Sequence, residues 1–336
     1  MKADDILSTI KTLYSLRRTL CIEGAPGGGK TTLVQQAAKE LGVQYIEKHM
    51  PTMLVEDFGI PMPSKTDDGA RTTSYYIPDW FPTDPDSKGI LCFDDRNQAG
   101  ADLQKVLANI CQARNLHGIP LPEGWMVVST GNRQSDRAGA NRVLSHLRNR
   151  ETVLEFDTDT ETWTKWAVRN GVHESVVAFM GWKPSLLHKF DPAQEANPTP
   201  RSWTEGVSPL IGVIAPHVEY ECFKGAVGEG AAAEFLGFLR IYRNLPDLDK
   251  VFTDPLNAQV PDESNVLYAM AGAIAAKVTP QNFGAVVQYL ARLPGEFNVL
   301  CVQMAYNRDT SIVRTKEMAA WAKDHGSILF GGPAPE

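Results

Sequence analysis

Eight residues constrain this chain more than any other stretch: Gly24-Ala25-Pro26-Gly27-Gly28-Gly29-Lys30-Thr31. They fit G-x-x-x-x-G-K-[ST], with an apolar run at residues 20–23 before them and helical spacing over residues 31–41 after them. Glycines let such a loop curl until its backbone N–H groups point inward at a phosphate chain. The Lys30 ammonium then reaches the β- and γ-phosphates, and the Thr31 hydroxyl can ligate magnesium. The helix that starts near Lys30 adds its positive dipole end. Thr32 closes the phosphate-contacting stretch as a helix residue, not as a metal ligand. A loop of this kind works only between a strand and a helix, so it demands an α/β layer structure around it.

The remaining pattern supplies that structure. Apolar runs with strand character occupy residues 19–23, 43–47, 90–93, 125–129 and 152–156, separated by helical spacing such as 31–41 and 102–114. Strands alternating with helices predict a parallel sheet covered on both faces. After Asp157 helical spacing dominates, at residues 160–170, 231–245, 265–277 and 317–324. A proline- and aspartate-rich stretch at 245–264 reads as a connection, and the terminal GGPAPE as a frayed tail. The expected organisation is an α/β core over residues 1–157, a helical lid over 158–250 and a C-terminal helical extension over 251–336.

Two further strand ends carry polar groups. ILCFDD, residues 90–95, delivers Asp94 and Asp95 where magnesium and an attacking water would be handled. There Asp94 would hold the magnesium shell and Asp95 would polarise the water; a helix N-cap is the alternative role for such a pair. WMVVSTGN, residues 125–132, ends in Asn132, whose amide could hold the γ-phosphate or the water, or simply form a turn after a strand.

In this order the motifs resemble the AAA+ superfamily, and GILCFDD-x-N-x-A followed by NLHGIPLPEGWMVVSTGNR is similar to its MoxR-like branch. The resemblance covers essentially the whole chain, most specifically residues 20–205. It implies a P-loop AAA+ core with sheet order 5-1-4-3-2, a ring-shaped and usually hexameric homo-oligomer, and ATP with Mg2+ as cofactors. It also implies a chaperone-like ATPase that remodels or matures a protein partner, commonly one carrying a von Willebrand factor A domain. ATP over GTP follows from the family, and no guanine-reading N-K-x-D stretch is present. The sequence departs from the family at the second acid, usually glutamate and here Asp95. One methylene fewer puts the carboxylate further from the water, which predicts slow hydrolysis.

The resemblance also sorts the arginines. The arginine just before the fifth strand reaches a neighbour's nucleotide in such proteins, making Arg150 the first choice for a finger and Arg148 the second. A guanidinium is always charged and planar, suited to charge growing on a transferred phosphate; a solvated helix end is the plainer role. PTPRSW, residues 198–203, is similar to the second-sensor motif, with Arg201 bending back over the γ-phosphate from a helix opened by Thr199 or Pro200. The plainer role is a surface arginine stacked on Trp203. Arg96, Arg133 and Arg137 lie near the same strand ends, and each could bind phosphate or bridge subunits.

Composition narrows the function classes. A net charge of −7 argues against a surface built for nucleic acid. The five cysteines form no CxxC pair and suit buried thiols in a reducing compartment. No run approaches the roughly 18 apolar residues of a membrane span, so the expectation is a cytoplasmic protein. His49 reads as packing or surface, and without HExxH spacing no zinc site is expected. The aromatic stretch YYIPDWFP, residues 75–82, either closes the core under a loop or contacts a substrate in a ring pore or a base. Two other functions stay open: a nucleic-acid motor or helicase loader, and an ATP-gated scaffold with little hydrolysis, for which Asp95 is the hint.

Overall fold

The structure is a computed structural model that describes residues 1–136 and 143–330. The chain forms two compact units, Met1–Thr158 and Asp159–Glu336.

The first unit is built on five parallel strands: β1 (Leu20–Gly24), β2 (Gln44–His49), β3 (Lys88–Asp94), β4 (Gly124–Gly131) and β5 (Thr152–Phe156). They lie in the order β2-β3-β4-β1-β5, which is 5-1-4-3-2 read from the other edge. Alternation decides which side chain faces which layer. Ile90 and Cys92 of β3 join the cluster formed with α1 (Ala3–Ser15) and α2 (Lys30–Leu41), which contains Ile6, Ile10, Val34 and Ala37. Leu91 and Phe93 join the opposite cluster, with Leu103 and Leu107 of α3 (Ala101–Ala113) and with Trp125 of β4. Both faces being covered, β1 is buried along its whole length, whereas the edge strand β2 is half exposed. A four-residue helix α4 (Ser145–Arg148) precedes β5.

Strand ends run further than the apolar runs suggest: β2 reaches His49 and β4 reaches Gly131, because ladder pairing outlasts the hydrophobic pattern. Two antiparallel hairpins interrupt the alternation, Ile60–Lys65 with Arg71–Tyr76 and Asn115–Leu116 with Ile119–Pro120. The aromatic stretch divides. Tyr75 and Tyr76 lie exposed on the first hairpin, while Phe81 is buried and Trp80 meets Phe58 edge-on at 5.4 Å.

The second unit is helical: α5 (Thr160–Arg169), α6 (Glu174–Trp182), α7 (Glu219–Val227), α8 (Glu229–Arg243), α9 (Asp249–Thr253), α10 (Ser264–Lys277), α11 (Phe283–Leu290), α12 (Gly295–Arg308) and α13 (Lys316–Phe330). One apolar core runs from Trp163 to Trp321, with Phe179 at its centre in ring contact with Trp203, Phe235 and Phe238. The connection at residues 245–264 holds the short α9 and is otherwise irregular. Among the described residues no helix is long and apolar enough to cross a membrane.

Candidate nucleotide site

The strands β1, β3 and β4 end side by side, and their ends bring the sequence motifs together. Gly24 closes β1, and a Cβ there would meet the Phe156 carbonyl at 2.8 Å, so the loop leaves the sheet where only glycine fits. Gly29 caps α2 at φ +96°, in the left-handed region that glycine adopts at little cost. Between them the loop folds back on its lysine. Lys30 is buried, and its Nζ donates to the carbonyls of Gly24 (3.0 Å) and Ala25 (3.1 Å) and to Asn132 Oδ1 (2.9 Å). A cation is thus held inside the loop at the N-terminus of a helix whose first N–H groups have no intrahelical acceptor. Thr32 is exposed on the first turn of α2.

Thr31 Oγ1 donates to Asp94 Oδ1 at 2.5 Å, and Thr130 Oγ1 donates to the same oxygen at 2.5 Å. His49 Nδ1 lies 3.2 Å from Asp94 Oδ2. Burial alone would raise the Asp94 carboxyl; the bonds from Thr130, Thr31 and His49 outweigh it and hold the group below its ordinary value. An ionised carboxylate beside a hydroxyl at the mouth of a glycine loop is a donor set that suits a hard divalent cation, so these residues fit magnesium.

Asp95 occupies the left-handed region at φ +52°, a conformation that an L-residue pays for, and its N–H donates to Thr130 Oγ1 at 3.1 Å. Asn97 fixes the neighbouring strand end: its Nδ2 donates to the Asn132 carbonyl at 2.5 Å and its Oδ1 accepts from the Asn132 N–H at 3.3 Å. Thr130, Asn97 and His49 therefore also shape the site. Asn97 and Thr130 lie inside the runs that carry the family resemblance but have no expected role there, and His49 reads as packing or surface.

The arginines fall into different places. Arg96 is fully buried, so it neither meets phosphate nor bridges subunits. Its Nη2 lies 3.0 Å from Glu23 Oε1, its Nε lies 3.1 Å from Glu151 Oε2, and Nε donates to Ser129 Oγ and Cys21 Sγ, each at 3.0 Å. Burial works against its charge, but Cys21, Glu151 and Glu23 outweigh it and raise the guanidinium. Burial raises the Glu151 carboxyl despite the opposing Arg96 and Ser129, and pushes the Cys21 thiol up to about 12. Arg133 ties the end of β4 to the end of β5, donating to the Phe156 carbonyl at 2.7 Å and to Asp157. Arg148 is exposed and lies 3.6 Å from Glu23. Arg150 donates to Gln112 of α3 and, at 2.9 Å, to the His146 carbonyl. Arg137 lies outside the described residues.

Arg201 belongs to the second unit, exposed in the first turn of a helix that opens at Pro200. Thr199 caps it, since its Oγ1 accepts from the Ser202 N–H at 3.1 Å. Trp203 is buried and donates to the Leu186 carbonyl at 2.7 Å, which removes it as a surface platform for Arg201.

Residues 19–150 match the family described as AAA domain (dynein-related subfamily). No curated protein matches the sequence. Similar solved structures include NtrX from Brucella abortus, at 13% identity over 95% of this chain and 66% of that one, with a TM-score of 0.40. A second NtrX structure from Brucella abortus, in complex with ADP, is similar at 12% identity over 96% and 68%, with a TM-score of 0.34. A RuvB variant from Thermotoga maritima is similar at 16% identity over 86% of each chain, with a TM-score of 0.40. Likeness at this level says nothing of substrate or partner. The stretch that matches this AAA domain, residues 19–150, holds the glycine loop and strands β1 to β4 of the five-stranded P-loop core.

Proposed function

We propose that the chain is an AAA+ ATPase that binds Mg-ATP at the end of β1 and hydrolyses it to drive work on a protein partner. The observation that carries this reading is the convergence of Lys30 with Asn132 and of Thr31 with Asp94, both across separate strand ends. Lys30 would exchange its loop carbonyls for the β- and γ-phosphates, to which its charge is better matched. Thr31 and Asp94 would hold magnesium, which supplies charge neutralisation at the transferred phosphate when bound. Asp95 would polarise the attacking water, and Asn132 would orient it or the γ-phosphate. Residues from Gly24 to Thr32 would line the phosphate chain.

The finer reading follows the MoxR-like pattern. Residues 158–250 would serve as the lid, carrying Arg201, and residues 251–336 as an extension. The chain would assemble as a homo-oligomeric ring, with Arg150, or failing it Arg148, reaching the neighbour's nucleotide. A partner with a von Willebrand factor A domain fits that pattern. A cytoplasmic location fits the scattered thiols.

A second reading, an ATP-gated scaffold with slow turnover, is favoured by Asp95, which is both short and held in the left-handed region. Phosphate release from ATP with and without Mg2+ separates the two. Magnesium-dependent turnover supports the remodeller, whereas bound ATP without turnover supports the scaffold. Stimulation by single-stranded DNA would instead favour a nucleic-acid motor and overturn both.

A further inference from the structure

Strands β2 and β3 pair so that His49 stands directly beside Asp94 in the ladder. Asp95 follows, and one donor atom from each of the three lies within 4.8 Å of the others. Metal bonds to imidazole nitrogen and carboxylate oxygen run about 2.0–2.2 Å, so one ion can span donors roughly 4 Å apart. The three side chains are therefore within a small adjustment of a shared ion.

The group is also prepared beyond mere proximity. Asp94 Oδ1 is taken by the hydroxyls of Thr31 and Thr130, which turns Oδ2 toward the imidazole. Thr130 fixes the Asp95 backbone as well, through the bond from its N–H. The Asp94 side chain is 14% exposed and that of His49 45%, so the cluster has a sheltered side and an open one. Spacing rules that search along the chain miss such a set, because its ligands meet across two strands.

We propose that His49, Asp94 and Asp95 form a divalent-metal site selective for borderline transition ions, occupied one per chain in the absence of nucleotide. An imidazole nitrogen suits zinc, cobalt or nickel, whereas magnesium prefers an all-oxygen shell. Because Asp94 also belongs to the magnesium site of the proposed ATPase, such an ion competes for that carboxylate. The metal site itself does not depend on hydrolysis, so its failure and that of the ATPase reading are distinguishable.

The test is a titration of the nucleotide-free protein with Co2+ in excess Mg2+, followed by visible absorption and by calorimetry. One Co2+ per chain with ligand-field bands is expected. His49→Ala should lose the bands and weaken binding by at least about tenfold, the scale on which even outer-shell partners matter. His49 is half exposed, so circular dichroism should confirm that the variant folds. Asp94→Asn should weaken uptake likewise. Absence of stoichiometric uptake, uptake unchanged in His49→Ala, or displacement of Co2+ by Mg2+ at comparable concentration each overturns the assignment.

Discussion

Replacing Arg96 with methionine isolates the buried charge network beneath the nucleotide loop. Arg96 is fully buried and joins Glu23, the residue before Gly24, to Glu151, the residue before β5. Methionine removes the cation and leaves the two carboxylates with the exposed Arg148, 3.6 Å from Glu23, and the Ser129 hydroxyl on Glu151. Breaking a buried ion pair by deleting one partner costs about 3–5 kcal/mol. For a unit of this size each kcal/mol shifts melting by about 2–4 °C, so a drop of about 6–20 °C is expected. The loss should depend on pH. Burial already raises Glu151 against the opposition of Arg96, and without Arg96 the carboxyl rises further. The folded variant then holds protons that the unfolded chain releases, so its stability falls as pH rises from the ordinary carboxylate range toward the raised value. The deficit should be largest at neutral pH and shrink near pH 5. Scanning calorimetry, with hydrogen exchange of β1 and β4 to follow the first unit, measures it. Glu23→Gln and Glu151→Gln added to Arg96→Met should recover most of the loss. An Arg96→Met protein that melts with its parent at both pH values refutes the network's role.

Two further substitutions address the chemistry. Asp95→Asn should retain ATP with hydrolysis near zero, and Asp95→Glu should turn over at least as fast as the parent. Single-turnover phosphate release checks both, and unchanged turnover in Asp95→Asn would move the water-positioning role to Asn132. Arg150→Ala should bind ATP yet hydrolyse it about 10³–10⁵-fold more slowly, the scale of an arginine finger. Mixed with Lys30→Ala it should regain activity at interfaces pairing an intact loop with an intact finger. No recovery in demonstrably mixed rings shifts the assignment to Arg148.

The fold was legible where local pattern and tertiary burial agree. The central strands are apolar because both faces are covered, and the helices between them carry the matching period. Ends were less legible: β2 runs on to His49 through polar residues, since its hydrogen bonds to β3 need no apolar side chain. The first hairpin was invisible, having two prolines in one strand and an exposed partner strand. Within the site, the loop and the acids could be read because their chemistry is confined to short runs. Arg96, Glu23 and Glu151 could not, because they are distant in sequence and meet only once three strands lie side by side. Arg96 lies near a strand end, where it could have bound phosphate or bridged subunits, yet its long side chain is buried against Ser129 and Glu23.

The central claim is that Gly24 to Thr31 cradle a nucleotide's phosphates around Lys30. Equilibrium binding of a fluorescent ATP analogue with Mg2+, to the parent and to Lys30→Ala, tests it most directly. Lys30 Nζ already sits among the loop carbonyls and beside Asn132 Oδ1. Its loss should weaken binding by at least about tenfold, the value of one charged hydrogen bond, with circular dichroism unchanged. Parent-like affinity in a folded Lys30→Ala protein would contradict the account.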